Sequence, residues 1–260
     1  MSTPPLRHGD YTGLAEDYAR YRPGYSETVL TALLALFERP AADLVAADVG
    51  AGTGVWTRML AGRRLHSVTA VEPNDDMRRM GVATSAAMPI QWRVGTGEAT
   101  GLESESVDLL SMASSFHWVD FEAGLAEFHR VLRPGGRFVA LWNPRLIEVS
   151  PLLLEIEDHL HGLCPSLKRV SSGRSGLTET LSNRLWEASG FDDLIYLEAR
   201  RVTRQTPPEY LGAWRSVNDV RIQLGPDRFG SFMAFVEERL RGMEWIKTVH
   251  LTRAWSVRRI

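Results

Sequence analysis

The segment Asp48-Val49-Gly50-Ala51-Gly52-Thr53-Gly54 follows the apolar run Leu44–Ala47 and leads into Val55, Trp56, Met59 and Leu60, which recur at helical spacing. Strand, glycine loop and helix in that order make a ligand site. Glycines let the backbone approach a bound molecule closely, and the start of a helix offers N–H groups that have no partner within it. A second apolar run, Val68–Val71, ends at Glu72-Pro73, and Glu72 lies 22 residues beyond Gly50. An acid at roughly that offset grips ribose hydroxyls, so loop and acid together predict a bound nucleoside with a free ribose. The third glycine of a dinucleotide fingerprint would fall on Val55, whose bulk opposes the close helix–strand packing that a glycine permits there. No Gly-Lys-Ser/Thr follows the loop, which excludes a phosphate-cradling P-loop.

The elements that must hold these residues are legible as alternating strand and helix signals. Ser26 is placed to cap a helix carrying Val29, Leu30, Leu33, Leu34 and Phe37. Asn74 and Asp75 are placed to cap a helix carrying Met77 and Met80. Ile90–Val94 and Val107–Met112 read as further strands, and Asp120 caps a helix running to Leu132. Pro134-Gly135-Gly136 stops that helix, and Phe138–Trp142 is a fifth strand. Such βαβαβ order implies a parallel sheet with helices on both faces, with ligands beyond the carboxyl ends of its strands. The residues to watch are therefore Asp48–Gly54, Glu72, Gly97–Ala99, Ser114–Trp118 and Trp142-Asn143.

The second half is more helical. Leu152, Leu153, Ile156, Leu160 and Leu163 form one stripe, and Leu181, Leu185 and Ala188 form another, closed by Gly190. Thr206-Pro207-Pro208-Glu209 reads as a capping box with proline at the first helical position. Phe229, Met233, Val236, Leu240 and Met243 make a third stripe. Ile195–Val202 and Ile246–Val257 read as strands, and Ser171–Gly176 as a flexible loop. The N-terminal stretch through Tyr25 is polar, holds Gly9, Gly13 and Gly24, shows no helical stripe before Tyr18, and reads as a lid.

Composition narrows the class. The chain has 260 residues, a net charge of −2, 44% hydrophobic and 24% charged residues, enough for one large domain or a domain with a cap. The near-neutral charge argues against gripping nucleic acid by bulk charge. No run approaches the length of a membrane span. The single cysteine, Cys164, and the lack of a secretory leader pattern fit a reducing, cytoplasmic setting. Of 30 basic residues only Lys168 and Lys247 are lysine. Arg200, Arg201, Arg204, Arg215 and Arg221 gather in the last third and read as a solvated face.

The Asp-x-Gly-x-Gly-x-Gly loop resembles the first motif of class I S-adenosylmethionine (SAM)-dependent methyltransferases. The likeness extends over roughly residues 18–142: Gly97-Glu98-Ala99, Val107–Ser111 and Val131–Gly136 are similar to later motifs of that family. Tyr18–Tyr25 and Phe116-His117-Trp118 resemble its small-molecule branch, which includes trans-aconitate-type and ubiquinone-biosynthesis-type enzymes. The resemblance implies a Rossmann-like, mostly parallel seven-stranded α/β sheet with helices on both faces and a helical cap. It divides the chain into a core of residues 26–145, 178–204 and 245–260, a cap of 150–177 and 206–243, and an N-terminal lid of 1–25.

The resemblance also implies roles. SAM, leaving as S-adenosylhomocysteine, would sit against Gly50, Ala51, Gly52, Gly54, Pro73, Met77, Ser114 and Phe116, with Glu72 on its ribose and Asp48 on its ammonium. Gly97, Glu98 and Ala99 would read the adenine edge. Tyr18 and Arg22 would fold over the cofactor, Arg22 pairing with the methionine carboxylate. Tyr21, Tyr25, Trp118 and Trp142 would line the acceptor pocket. His117 is the candidate catalytic residue, as base or as positioner of the acceptor. The acceptor is expected to be a small molecule, with no nucleic acid, membrane or metal involved. Ser114-Ser115-Phe116-His117 stands where base-directed amino-methyltransferases carry Asn/Asp-Pro-Pro-aromatic. Paired glutamates, as in arginine methyltransferases, and ligand clusters with zinc spacing are both missing. An NAD-type oxidoreductase and a non-catalytic SAM-binding module stand as alternatives.

Overall fold

The computed structural model describes residues 11–169, 173 and 176–260. Its seven strands are β1 (Val45–Val49), β2 (Ser67–Val71), β3 (Ile90–Arg93), β4 (Val107–Ala113), β5 (Leu132–Trp142), β6 (Phe191–Gln205) and β7 (Ile246–Arg259). They form one sheet in the order β3-β2-β1-β4-β5-β7-β6. The first five are parallel, and β7 runs antiparallel between β5 and β6. β1 and β4 are nearly continuous buried runs, as expected of central parallel strands covered on both faces.

The helices of the sheet domain are α1 (Ala15–Tyr21), α2 (Glu27–Leu34), α3 (Val55–Ala61), α4 (Asp75–Thr84), α5 (Phe121–Val131) and α7 (Leu177–Trp186). On one face α5 and α7 bury Leu125, Phe128, Leu181 and Leu185 against Leu110, Phe138 and Trp255. On the other, α2 and α3 bury Leu30, Leu33, Trp56 and Leu60 against Val68, Leu109 and Leu141. Asn74 and Asp120 cap as expected, their side chains accepting from Met77 N at 3.0 Å and Ala123 N at 2.9 Å. The Ser26 side chain makes no cap bond; its backbone N–H instead donates to Thr252 Oγ1 at 2.8 Å, tying α2 to β7.

Three boundaries depart from the sequence reading. The Pro134-Gly135-Gly136 break falls inside β5. Leu132 already pairs with Val107 and Arg137 with Leu109, so the residues between are looped out as a bulge. β6 begins and ends well outside Ile195–Val202, because an edge strand with one ladder partner accommodates the alternating Asp, Glu and Arg that an apolar-run criterion passes over. A helix, α1, occupies the stretch read as a lid. It packs on α8 (Pro207–Arg215): Arg215 pairs with Asp17 at 3.2 Å, and the Tyr21 ring fills the space beside Gly212. Ser171–Gly176, the loop candidate, and the first ten residues lie largely or wholly outside the described residues.

Above the carboxyl ends of the strands sits a second helical layer. It is built from α6 (Pro151–Leu163), inserted after β5, and from α8 and α9 (Asn218–Arg239), inserted between β6 and β7. The expected capping box opens α8: Thr206 N–H donates to Glu209 Oε2 at 2.8 Å. α9 kinks at Gly225, where φ is +70° and proline follows. This layer has a core of its own, with Leu153, Ile156, Leu160, Trp214, Val220 and Phe232 all buried. Phe232 is fully buried and meets Trp214 edge-on at 4.8 Å. Phe232→Ala should therefore destabilise the protein by about 3–5 kcal/mol in urea unfolding. A loss below about 1 kcal/mol would mean that this layer does not fold cooperatively around that ring.

Candidate functional site

Two neighbouring cavities lie at the carboxyl ends of the strands. A cleft of about 270 Å³ runs over the ends of β1, β2 and β4, and a chamber of about 780 Å³ lies between the sheet and the helical layer. Tyr11, Tyr18, Tyr25, Val55 and Ser114 border both.

The cleft is built around Glu72. Its Oε2 accepts from Gly52 N at 2.7 Å and its Oε1 from Asn74 N at 2.8 Å, joining the β1 loop to the start of α4. Burial pushes its pKa up, opposed by those two amides and by Arg78. Gly50 has a φ of +66°, and a Cβ there would stand 2.7 Å from Ser115 Cβ, so only glycine fits the turn. The N–H groups of Gly50 and Ala51 turn back to Val71 O at 2.8 and 3.1 Å. The loop thus presents its glycine surface to the cleft while its first amides hold the loop to β2.

Most of the expected cofactor residues border this cleft: Tyr18, Gly50, Ala51, Gly52, Glu72, Pro73, Met77, Gly97, Glu98 and Ser114. Glu98 Oε1 accepts from Asp120 N at 2.9 Å, which pins the third-strand loop to α5. The others are placed differently. Phe116 is fully buried in the sheet core against Phe138 (5.0 Å) and Phe121, so it supports the cleft from behind. Gly54 and Ala99 lie outside the lining. Asp48 is also fully buried behind the loop, accepting from Thr57 Oγ1 at 2.6 Å and Ser111 Oγ at 3.3 Å. Arg22 borders the chamber, stacks over Tyr18 at 4.8 Å, and donates to Ser216 Oγ (2.8 Å) and Ser216 O (3.0 Å).

Of the residues expected on the acceptor side, Trp142 and Tyr25 border the chamber, Trp118 borders the cleft instead, and Tyr21 borders neither. Tyr25 shares a hydrogen bond with Ser114 Oγ at 2.9 Å on the common rim, and burial pushes its hydroxyl pKa up, so it stays protonated. Ser114 itself holds a φ of +56°, a strained conformation at the end of β4. His117 borders the chamber. Trp142 Nε1 donates to its Nδ1 at 3.4 Å, its Nε2 has no partner among the described residues, and burial pushes its pKa down to about 4.

Sequence reasoning missed the chamber's polar wall of Arg145, Glu157, Arg169, Tyr210 and His250. A signal was present for Glu157, which falls on the same helical face as Leu153, Ile156 and Leu160 and so had to be buried with a cation. The arginines singled out in the last third do not border either cavity.

The sheet order, with one antiparallel strand inserted next to β6, is that of the Rossmann-like methyltransferase fold. Residues 47–140 match a family described as a methyltransferase domain. An uncharacterized methyltransferase of Mycobacterium tuberculosis is 40% identical over 128 residues, 49% of this chain and 49% of that protein. The ubiquinone/menaquinone biosynthesis C-methyltransferase UbiE of Rubrivivax gelatinosus is 36% identical over 95 residues, 36% of this chain and 37% of that protein. A provisionally assigned type II methyltransferase from Anaeromyxobacter dehalogenans shares the fold with a TM-score of 0.63 at 23% identity, over 92% of this chain and 97% of that one. The chain spans about half the length of the curated relatives it matches.

Asp48 gives the site a pH signature. Burial raises its pKa from 3.8 to about 7, against the opposing bonds from Thr57 and Ser111. A carboxyl raised on folding stabilises fully below its unfolded pKa, and that stability is lost as pH rises through the folded value. Asp48 should therefore cost the protein on the order of 3 kcal/mol between pH 5 and pH 8. Urea unfolding across that range should show a shallower decline for Asp48→Asn than for wild type. Parallel declines would place the Asp48 carboxyl elsewhere on the pH scale.

Proposed function

We propose that this chain is a SAM-dependent methyltransferase whose acceptor is a small molecule held in the chamber between the sheet and the helical layer. The observation that carries the reading is the contact of the two cavities across Tyr25 and Ser114: a nucleoside-type cleft opens beside a separate chamber large enough for a metabolite. The sheet of residues 26–145, 178–204 and 245–260 then serves as core, and 150–177 with 206–243 as cap. Residues 1–25 serve as lid, and α1 docked on α8 links lid to cap. Buried Cys164 and the lack, among the described residues, of a helix long and apolar enough to cross a membrane support a cytoplasmic enzyme.

The residues fit the cofactor. Each oxygen of Glu72 spends one lone pair on a backbone amide and keeps capacity for a ribose hydroxyl. Gly97 and Glu98 would take the adenine end, and Arg22 the methionine carboxylate. Asp48 acts through Thr57 and the loop rather than by touching the ammonium. When bound, SAM supplies an electrophilic methyl on a sulfonium; on transfer the C–S electron pair stays with sulfur. The chain's own work is to align the nucleophile, exclude water and set protons. Val55 borders both cavities where a dinucleotide fold would place its third glycine, which weighs against a hydride-transfer enzyme.

His117 serves as positioner in this reading. Trp142 Nε1 can only donate, so His117 Nδ1 must carry the lone pair and Nε2 the proton. The ring then offers a donor to the chamber. With a pKa near 4 it is neutral across the physiological range. Activity should be flat with respect to this group from pH 6 to 8, and His117→Gln, which keeps a donor, should retain far more rate than His117→Ala. An inflection between pH 6 and 7 that disappears in the Gln variant would reassign it as the base.

The cofactor assignment is tested by calorimetry with S-adenosylhomocysteine and NADH. S-adenosylhomocysteine should bind and NADH should not. Glu72→Ala removes two charge-assisted hydrogen bonds, each about 1.5–3 kcal/mol, and should weaken S-adenosylhomocysteine at least tenfold. An unchanged affinity removes Glu72 from the ribose site. Label transfer from methyl-labelled SAM into a metabolite extract separates the enzyme from a binding module.

A further inference from the structure

The chamber wall carries unequal charge. Arg22, Arg145 and Arg169 border it with Lys168 at its rim, while Glu157 is the one acidic residue among the described residues that line it. One carboxylate thus serves two guanidiniums: Arg169 Nη1 lies 3.1 and 3.2 Å from its oxygens and Arg145 Nη2 3.3 Å away. Asp219, which does not border the chamber, adds a looser contact of 3.7 Å to Arg169. Among the described residues, Arg22 donates to the neutral hydroxyl and carbonyl of Ser216 and to no carboxylate.

The Arg145 guanidinium is held in a fixed plane. It stacks 4.1 Å over the Trp214 ring, donates to Tyr210 Oη at 3.4 Å, and its backbone bridges to His250 on β7. His250 is 4% exposed, borders the chamber, and its Nδ1 has no hydrogen-bond partner among the described residues. Burial pushes the His250 pKa down to about 3, with Arg145, Arg22 and Arg201 adding to the effect, so the ring already sits in a cationic field. A buried imidazole nitrogen with no partner among the described residues is open to a ligand atom and donates to it in the Nδ1–H tautomer, beside a stacked guanidinium that can only donate. Trp142, Ile147, Leu167 and Val217 add apolar surface to a wall that also carries His117, Asn143, His161, Thr178 and Gln205.

Resting on the methyltransferase reading above, we infer that the acceptor is a singly charged carboxylate on a largely apolar body. Its carboxylate is held by Arg145, Tyr210 and His250, away from the atom that receives the methyl. The three guanidiniums on that wall, Arg22, Arg145 and Arg169, face Glu157 and the more distant Asp219 among the described residues, which leaves a surplus of one charge, suited to a monoanion rather than to a phosphate dianion. Arg145 and His250 are then specificity-determining residues that distinguish acids from their neutral analogues.

The test uses the full chain in calorimetry. S-adenosylhomocysteine is titrated first. Failure there tells against the methyltransferase reading, and the acids can still be titrated into the same protein, so the two failures are distinguishable. Octanoate, octanamide and octyl phosphate are then compared. Octanoate should bind at least about tenfold more tightly than octanamide, since the amide forfeits the charge-assisted bonds. In Arg145→Gln the two should come within about twofold, with S-adenosylhomocysteine affinity unchanged. The wild-type comparison needs no variant and stands even if the variant misfolds. Equal binding of acid and amide, no octanoate binding, tighter octyl phosphate, or a preference that survives in a folded Arg145→Gln protein would each overturn the proposal.

Discussion

The site depends on one buried carboxylate that spans two strand ends. Glu72 receives the Gly52 amide from the β1 loop and the Asn74 amide from the turn into α4. Parallel neighbours cannot be joined by a hairpin, so their carboxyl-end loops come from distant stretches of chain and need a tie. A carboxylate accepting two backbone N–H bonds supplies that tie and still faces the cleft. The same residue fixes the loop and lines the cleft, so the glycine turn at Gly50 and the cap of α4 by Asn74 are both organised around it.

Buried carboxylates elsewhere are compensated in the same way. Asp108, 1% exposed at the base of β4, accepts from Val45 N at 2.8 Å and from Arg133 at 2.9 Å, and also pairs with Arg39. These contacts join β1, the β5 bulge and the end of the α2 loop at the face opposite the cleft. Glu157 plays the matching part in the helical layer. Burial alone would raise its pKa, but Arg145 and Arg169 outweigh that and hold it below the usual carboxylate range. Removing one partner of such a cluster leaves an uncompensated buried ion, which costs more than the pair contributes when intact.

The N-terminal segment connects the two layers. Tyr18 and Tyr25 border both cavities, α1 docks on α8, and Arg22 reaches Ser216 just beyond α8. Asn143, at the end of β5, completes the link by donating to Gly24 O at 3.1 Å while accepting from Thr252 at 2.8 Å. Movement of the helical layer relative to the sheet would therefore move the residues on the shared rim, which couples access to the chamber with the geometry of the cleft.

The sequence by itself determined the sheet and the cleft. Gly50, Gly52, Glu72, Gly97 and Ser114 could be placed because each follows a short apolar run, and the carboxyl end of a parallel strand is where a ligand must sit. Roles that depend on direction could not be read this way. Asp48 and Phe116 occupy ligand-facing positions in the chain, yet the turn of the loop and the packing of α5 aim both inward. The chamber was decided by tertiary structure alone. Arg145 comes from the connection after β5, Glu157 from α6, Tyr210 from α8 and His250 from β7, and no local period relates them. Only the docking of the helical layer over the strand ends brings them together, because burying Glu157 on the apolar face of α6 required a guanidinium from elsewhere in the chain.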